Sequence, residues 1–417
     1  MREMKDSGIA WVTTIPESWD TMANKYIMKK IKHINPVYHG EDILSLTVNG
    51  VIVRDLDAGG KMPTSFDGYQ FLYPGNLLMC LFDYDVTPRC IGLIKNSGVT
   101  SPAYSQFVMN AGFDAAYYYY YYLMVDHTKA ILHLAKNLRH SFTEEQLGMI
   151  SVPVPSLPEQ CRIASYLDHK CAEVDQISTD IQTQIDILEE YRRSVIAEAV
   201  IKGLNPDVSM KDSGIDYVGD IPEHWIIHPV YYYFGERKTK NVLGQESNLL
   251  SLSYGKIVRK DINTSEGLLP ASFNTYNIVE QNDIIIRPTD LQNDHRSLRT
   301  GLVTEHGIIT SAYIDLMPIR TLNSSYFHYL LHAFDVMKVF YNMGNGVRQG
   351  LNYSEFSRLL VFEPKLEEQD AIVAYLDKKC GEIDGAIQDK REQLSTLEEY
   401  KKSLIFEYVT GKKEVPA

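Results

Sequence analysis

Polar side chains that can read DNA bases are concentrated in one stretch of the second half of the chain. The segment around 287–300 contains seven such candidates: Arg287, Asp290, Gln292, Asn293, His295, Arg296 and Arg299. In the major groove, arginine pairs with guanine, asparagine or glutamine pairs with adenine, and aspartate accepts from cytosine. The composition therefore predicts a base-reading loop, and an ordinary solvated loop is the alternative.

A shorter counterpart lies in the first half, at 82–91. Its candidates for base contact are Tyr84, Thr87 and Arg89. The offset between the two halves grows from 207 to 209 residues across this stretch, so the second copy is two residues longer. A difference in length and composition in this stretch is expected if the two halves read different bases, although a solvated connection remains open here too.

Other candidates are scattered along the chain. Arg348, Gln349 and Asn352 form a second cluster that could reach bases. Six cations could bind phosphates, which position a protein on DNA without reading sequence: Arg54, Lys95, Arg237, Lys238, Lys240 and Arg259. Solvated surface charges are the alternative for all six.

Motifs for catalysis are absent from the sequence. There is no NPPY-type or DPPY-type tetrad, no glycine-rich loop after a strand for S-adenosylmethionine, no GxxxxGK[ST] phosphate loop and no HExxH. We therefore expect no catalytic residue, no metal ligand and no cofactor in this chain. A methyltransferase with its own recognition domain is excluded on the same ground.

The chain contains an internal repeat, which determines the architecture that we expect. MKDSGIAWVTTIPESW at 4–19 returns as MKDSGIDYVGDIPEHW at 210–225, and LPEQCRIASYLDHKCAEVDQ at 157–176 returns as LEEQDAIVAYLDKKCGEIDG at 366–385. Each copy thus runs from a variable globular segment into a more constant helical one.

The constant segments have the apolar spacing of a coiled-coil seam. The first seam is Ile163, Leu167, Cys171, Val174, Ile177, Ile181, Ile185, Leu188, Tyr191, Val195 and Ala199. The second is Ile372, Leu376, Cys380, Ile383, Ile387, Leu394, Leu397, Tyr400, Leu404 and Tyr408, and Lys390 interrupts it. About forty residues make a helix of roughly 60 Å. We expect the two helices to pair with each other, antiparallel if a twofold axis relates the copies.

The predicted fold is α+β, with two similar mixed α/β domains joined by two long antiparallel coiled-coil helices in a pseudo-twofold repeat. The predicted boundaries are 1–156, 157–209, 210–365 and 366–417. Strands are expected at 76–82 and 283–287, and helices at 130–138 and 326–341. The six consecutive tyrosines at 117–122 are more typical of packed side chains than of a base-stacking surface.

The net charge of −13 is unusual for a protein that binds a polyanion. Its distribution weakens this objection, because 1–156 and 211–365 each carry only −2, whereas the two helical segments together carry −9. A near-neutral domain can still present one basic face. The start MREMKDSGIA has no apolar signal core, so we expect a cytoplasmic protein.

The whole chain resembles the specificity subunits of type I restriction-modification systems. The resemblance lies in the KDSGI…IPEHW opening of each half, the PxPxLPEQ entry at 153–160 and the LEEYRRSVIAEAVIKG exit of the central helix. The second entry, FEPKLEEQ at 362–369, lacks one proline. The resemblance implies two target-recognition domains that read a bipartite double-stranded site. The paired helices would set the distance between them.

The resemblance also implies partners. These are two modification (methyltransferase) subunits and two restriction (motor-nuclease) subunits, and S-adenosylmethionine, ATP and Mg²⁺ would belong to them. The alternative is a non-catalytic coiled-coil adaptor whose variable domains bind proteins. The acidic charge favours the adaptor, whereas the arginine-bearing polar loops and the repeated motifs favour DNA recognition.

Overall fold

The computed structural model describes residues 2–57, 63–135, 140–263, 272–289, 291, 298–343 and 350–416. The chain divides into two compact units, Met1–Gln182 with Arg391–Ala417, and Thr183–Lys390. The helices that begin at the predicted positions 157 and 366 each contribute one part to each unit. Each unit therefore contains one globular segment and portions of both long helices.

The first globular segment is built from short strands and two short helices, and a long helix follows it. The strands are β1 (Met4–Ile9), β2 (Val12–Pro16), β3 (Asp20–Ala23), β4 (Met28–Ile31), β5 (Leu44–Thr47), β6 (Gly50–Val53), β7 (Gln70–Leu72), β8 (Leu77–Met79), β9 (Ile91–Leu93), β10 (Gly98–Thr100), β11 (Ser105–Met109) and β12 (Ser151–Val154). The helices are α1 (Ala115–His127), α2 (Glu144–Met149) and the long α3 (Leu157–Lys202), which continues into the second unit.

The second globular segment has the same elements in the same order. The strands are β13 (Met210–Asp212), β14 (Asp220–Pro222), β15 (Ile226–Pro229), β16 (Phe234–Glu236), β17 (Leu250–Ser253), β18 (Lys256–Arg259), β19 (Asn277–Val279), β20 (Ile284–Ile286), β21 (Thr300–Leu302), β22 (Gly307–Ile309), β23 (Ile314–Pro318) and β24 (Leu360–Glu363). The helices are α4 (Ser324–Val336), α5 (Tyr353–Phe356) and the long α6 (Leu366–Val409). Within the described part of the chain, no helix is both long and apolar enough to span a membrane.

Strand pairing is identical in the two units. A four-stranded antiparallel sheet has the order β4-β11-β8-β9 in the first unit and β16-β23-β20-β21 in the second. Four two-stranded pairs accompany each sheet, and every strand of the first unit has its equivalent twelve strands later. The predicted mixed α/β repeat and both predicted strands, at 76–82 and 283–287, are confirmed.

The six tyrosines at 117–122 form most of helix α1 (Ala115–His127), which lies earlier in the chain than the predicted helix. The predicted helix at 130–138 is wrong: its described part contains only the 3-10 turn Leu132–Leu134, because the helix ends at His127. Five of the six tyrosines are buried and Tyr119 is half-buried. Packing rather than base stacking is therefore confirmed for this run. The equivalent α4 (Ser324–Val336) overlaps the helix predicted at 326–341 but begins and ends earlier.

The repeated motifs fasten each globular segment to the long helix that follows it. Trp19 of the first IPESW motif is fully buried, and its indole N–H donates to Glu159 at the start of α3 (3.0 Å). Trp225 of the second motif donates to Glu368 at the start of α6 (3.1 Å). Because both tryptophans bury a large ring and satisfy its single donor, the motif pairs are explained as structural anchors.

The neighbouring glutamine completes the same anchor. The buried Gln160 accepts from the backbone N–H of Asp114 (2.8 Å) and donates to the carbonyl of Pro155 (2.8 Å). Gln369 makes the equivalent bonds in the second unit, accepting from the N–H of Asn323 (2.9 Å) and donating to Pro364 (2.9 Å). In LPEQ and LEEQ the glutamate thus accepts from the tryptophan and the glutamine satisfies backbone groups where the globular segment meets the helix.

The long helices run antiparallel within each unit. In the first unit the hydroxyl of Tyr408 donates to that of Tyr166 (3.2 Å), and Lys401 pairs with Asp175 further along α3. In the second unit Arg192 pairs with Asp384 (2.9 Å). Partner numbers fall on α6 as they rise on α3, so the predicted antiparallel pairing is confirmed. The overall twofold relation remains a prediction.

The predicted seam is buried at most positions, although three of its residues are exposed. Ile177, Tyr191 and Tyr400 are each about half exposed. Lys390, which interrupts the second seam, bonds to Gln184 on the facing helix. The lysine therefore spans the edge of the helix pair and keeps its ammonium at the surface, as long cationic side chains commonly do.

A buried pair of carboxylates distinguishes the second unit from the first. Asp283 and Asp315 are both almost fully buried, and Arg237 forms two hydrogen bonds with Asp283 (2.7 and 3.1 Å) but lies 3.9 Å from Asp315. Burial and the neighbouring Asp283 raise the pKa of Asp315 to about 8. In the first unit these positions hold amides, Asn76 donating to Gln106 (3.1 Å). The same core site is therefore neutral in one copy and charged in the other.

We expect Asp315→Asn to stabilise the second unit. The folded-state pKa of Asp315 lies above its ordinary value of 3.8, so this group lowers stability progressively as the pH rises from about 4 to about 8. Asparagine removes that penalty and can donate to Asp283. Thermal unfolding should show a rise in Tm of about 2–4 °C, equivalent to roughly 1 kcal/mol, larger at pH 8 than at pH 5.

The matched control places a carboxylate in the neutral copy. Gln106→Glu removes the amide that donates to Phe71 (2.9 Å) and should lower the Tm, increasingly so as the pH rises. A gain in Tm from Asp315→Asn that is the same at pH 5 and pH 8 would contradict a raised pKa of Asp315.

Candidate nucleic-acid interface

Both predicted recognition loops connect adjacent antiparallel strands of the four-stranded sheets. Residues 80–90 join β8 to β9, with Met79 opposite Ile91. Residues 287–299 join β20 to β21, with Ile286 opposite Thr300. The flanking scaffold is thus the same in both units. The two additional residues of the second copy fall in the loop, as the sequence alignment predicts.

Two of the predicted base-contacting residues are buried, which contradicts that assignment. Tyr84 is 4 % exposed, packs edge-on against Phe142 (5.1 Å between ring centroids) and has the Lys129 ammonium 4.6 Å from its ring. Arg299 is fully buried, and its guanidinium donates to the backbone carbonyl of Thr289. Neither side chain can reach a base edge. Both instead support the base of their loop.

Arg89 is half-buried, and its guanidinium bonds to groups of the protein itself. Its guanidinium donates to the carbonyls of Val48 (2.6 Å) and Ile91 (3.1 Å) and to the hydroxyl of Tyr119. These three bonds give Arg89 a structural role, and its contact with a base remains a prediction. Arg89 positions the tip of the β5–β6 hairpin beside the first recognition loop. Thr87 lies half-buried in that loop, and its carbonyl accepts from Lys129 (2.8 Å).

Sequence reasoning missed the two residues that close these loops. The backbone N–H of Cys90, the last residue of the first loop, donates to the buried carboxylate of Asp126 on α1 (2.8 Å). In the second unit the N–H of Arg299 donates to buried Asp335 on α4. Both pairs share the 209-residue offset. The sequence did contain a signal for these residues, because Asp126 and Asp335 repeat at that offset near the ends of two largely apolar helices.

The predicted phosphate-binding cations fall into two groups. Arg237 is corrected, because its bidentate pair with buried Asp283 makes it part of the core. The remaining cations lie at or near the surface: Lys238 pairs with Glu236 (2.8 Å), Lys240 donates to the carbonyl of Thr275 (3.0 Å), Arg259 pairs with Glu305, Lys95 is exposed, and Arg54 and Arg287 are half-buried. Phosphate binding by Arg54, Lys95, Lys238, Lys240 and Arg259 remains a prediction, as does the predicted DNA contact of Arg287.

Asn352 has a structural role. Its side chain caps helix α5 by accepting from the backbone N–H of Glu355 (3.0 Å), and the Glu355 carboxylate accepts from its N–H (3.1 Å). The other predicted base readers lie outside the described residues: Asp290, Gln292, Asn293, His295, Arg296, Arg348 and Gln349. Their assignment remains a prediction.

Comparisons with known proteins agree with this geometry. No family model matches the sequence. Over 281 residues the chain is 26 % identical to a Methanocaldococcus jannaschii protein provisionally named the type I restriction enzyme MjaX specificity subunit. That alignment covers 65 % of this chain and 61 % of the relative, so it spans about three fifths of the relative's length.

The likeness in structure extends over nearly the whole chain. A chain from a study of complex assembly and conformational transition of the type I R-M system superposes with a TM-score of 0.70 at 13 % identity, covering 96 % of this chain and 99 % of that one. The HsdS subunit from Thermoanaerobacter tengcongensis gives 0.49 at 14 % identity, covering 96 % and 98 %. The fold is shared with the first of these, and the resemblance to type I specificity subunits predicted from the sequence is confirmed.

Proposed function

We propose that this chain is the non-catalytic DNA-recognition subunit of a type I restriction-modification complex, with each globular segment reading one half of a bipartite double-stranded site. The observation that carries the proposal is the duplicated loop. In two units of the same fold, the same pair of strands presents a loop of different length and composition. A protein that reads two different half-sites with one scaffold requires this combination of a shared frame and variable loops.

The described contacts support a division of labour within each loop. Buried residues fix the ends of the loop, through Asp126 in the first unit and Asp335 in the second. The polar side chains between those ends are then available to vary without disturbing the sheet. Base contacts specify sequence whereas other contacts only position the protein. Our candidates for base reading are therefore Asp290, Gln292, Asn293, His295 and Arg296.

The partners in this proposal are two modification subunits and, through them, two restriction subunits. The helical segments carry most of the negative charge, so we assign protein docking to the helices and DNA contact to the near-neutral globular segments. In this complex S-adenosylmethionine, ATP and Mg²⁺ would be used by the partner subunits. We place the complex in the cytoplasm, where its DNA substrate would be.

We expect the isolated chain to bind DNA weakly and the complex with modification subunits to bind tightly. Affinity for DNA depends strongly on cationic side chains that neutralise phosphates. Each globular segment has a net charge of −2, so its cations are offset by carboxylates and should attract the DNA backbone only weakly. Gel-shift titrations at physiological salt should give a Kd for the complex in the range of about 10⁻⁸–10⁻¹¹ M on its site. The isolated chain should bind at least 100-fold more weakly, taking about 10⁻⁴–10⁻⁶ M as typical of non-specific binding.

The same preparation identifies the site. DNA methylated by the complex in a host without other methyltransferases is sequenced for modified bases, and two short motifs separated by unread positions should emerge. Methylation without any sequence preference, or a complex that binds no duplex, would contradict the proposal and favour a protein-binding adaptor. Nanomolar specific binding by the isolated chain would contradict only the division of labour.

A further inference from the structure

The hairpin β17–β18 presents a tyrosine at its tip in an unusual way. Tyr254 is 90 % exposed, the highest value among the large hydrophobic side chains of the described residues. Its φ is +47°, and that of Gly255 is +76°. Positive φ at both central residues is typical of a type I′ turn, which favours Asn-Gly. A tyrosine at this position has an unfavourable positive φ and leaves its apolar ring in water. Backbone strain of this kind is commonly retained at functional positions.

The hairpin is held rigidly against the sheet that carries the recognition loop. A Cβ atom on Gly301 of β21 would lie 2.6 Å from Leu252 and 2.9 Å from Ile257, so these two side chains pack directly on the strand backbone. A Cβ atom on Gly255 would lie 3.1 Å from Leu298, which directly follows the polar segment 292–297. The tip of the hairpin is therefore a neighbour of the end of the second recognition loop.

The first unit repeats this arrangement with different side chains at the tip. Val51 and Leu46 pack over Gly92 of β9 in the same way, and Arg89 of the recognition loop donates to the carbonyl of Val48 at the tip (2.6 Å). Val48 is 60 % exposed. In both units, one residue of the recognition loop thus contacts the hairpin tip. The turns differ as well as the tip residues, because positive φ falls on Gly50 (+94°) in the first hairpin and on Tyr254 and Gly255 in the second.

The charge of the hairpin favours a nucleic acid as its partner. Residues 250–260 contain Lys256, Arg259 and Lys260 and no carboxylate, in a chain of net charge −13. Lys256 and Lys260 are exposed, and Arg259 pairs with Glu305. Residues 44–54 of the first hairpin also lack carboxylates. A basic element that carries an exposed aromatic ring is suited to contact phosphates and to pack its ring against a base in a groove of the duplex.

We propose that the β17–β18 hairpin is a second DNA-contacting element of the second unit, in which Tyr254 packs its ring against a base of the half-site read by that unit. This inference rests on the proposed function and extends it to a residue outside the recognition loop. The ring is supplied by a rigid turn, so little conformational freedom is lost on binding. The Val48 tip is its equivalent in the first unit, where a smaller side chain meets a different half-site.

The test uses the full chain assembled with its modification subunits and a duplex that carries the site identified by methylation sequencing. Tyr254→Asn removes the ring and places at this position a residue that tolerates positive φ, so its Tm should equal or exceed that of wild type. The Kd for the duplex should rise by about 10-fold to 100-fold, as expected for one lost contact with a base. Tyr254→Phe should bind like wild type. So should Tyr231→Asn, which alters an exposed tyrosine between β15 and β16, at the opposite edge of the sheet from β21.

A second measurement is specific for a contact with a base. With 2-aminopurine placed at each position of the second half-site in turn, wild-type complex should change the fluorescence at one position, and Tyr254→Asn should abolish that change. Wild-type affinity in Tyr254→Asn would overturn this inference and leave the proposed function intact. A wild-type complex that binds no duplex would overturn both.

Discussion

Replacement of residues 210–365 by the equivalent segment of another type I specificity subunit changes one half-site of the recognised sequence and leaves the other half-site unchanged. This is the expected result if each unit reads DNA independently. The first unit forms its own core without any described side chain from 210–365. Its reading of bases should therefore be unaffected by the exchange.

The structure indicates which residues the donor segment must preserve. Trp225 donates to Glu368, Asn323 donates its N–H to Gln369, and the Tyr326 hydroxyl bonds to the carbonyl of Val200 (3.3 Å). These bonds join the segment to α3 and α6. A donor segment with the same tryptophan, helix cap and tyrosine should dock without loss of stability.

The effect on recognition should be large. Specific sites are commonly bound about 10³- to 10⁷-fold more tightly than other DNA, so methylation at the original site should fall at least 10³-fold while a hybrid site appears. Sequencing of methylated DNA measures both. The reciprocal exchange of 1–156 is the control and should change the other half-site. Alteration of both half-sites by either exchange would show that the units do not read independently.

Insertion of seven residues into each long helix should lengthen the unread spacer between the half-sites by about three base pairs. A heptad adds about 10 Å at 1.5 Å per residue, and base pairs are about 3.4 Å apart. It also nearly preserves the phase of the helix seam. We place the insertions between Gln182 and Thr183 and between Lys390 and Arg391, where the two compact units divide. Contacts within each unit are then left intact.

The control for this experiment is an insertion in α3 alone. It should displace one helix against the other and break pairs such as Arg192–Asp384, so the Tm should fall and methylation should be lost. With both insertions, sequencing should recover the original half-site motifs at the new distance. An unchanged spacer in a correctly assembled complex would show that the helices do not set the distance.

The fold could be predicted from sequence largely because it is encoded twice. Repeated motifs and seams with steps of three and four residues are local signals, and they predicted the two domains and the helix pair. The helix of the tyrosine run was harder to locate. Helix α1 carries apolar or aromatic residues on every face, and most of them are buried. No amphipathic period therefore marks Ala115–His127 in the sequence. Burial by tertiary packing, which one sequence does not reveal, determines that helix.

The candidate site was less predictable for a physical reason. Residue type indicates that a side chain can bond to a base, but the same donors can satisfy the protein's own backbone. Arg299 and Arg89 bond to carbonyls, Arg237 neutralises a buried carboxylate, and Asn352 caps a helix. Tyr254 was overlooked because its importance derives from exposure and backbone conformation. Neither property appears in composition.

The division of both long helices between the units also has a consequence for synthesis on the ribosome. The first unit includes residues 391–417, and the hydroxyl of Tyr117 donates to the carbonyl of Val409, 292 residues later. At translation rates of about 5–20 residues per second, the first globular segment waits roughly 10–40 s for the part of α6 that completes it. During that time Leu167 and its neighbours on α3 lack the residues of α6 that cover them in the finished core. The nascent chain should therefore expose an apolar helix face to chaperones until its last helix emerges.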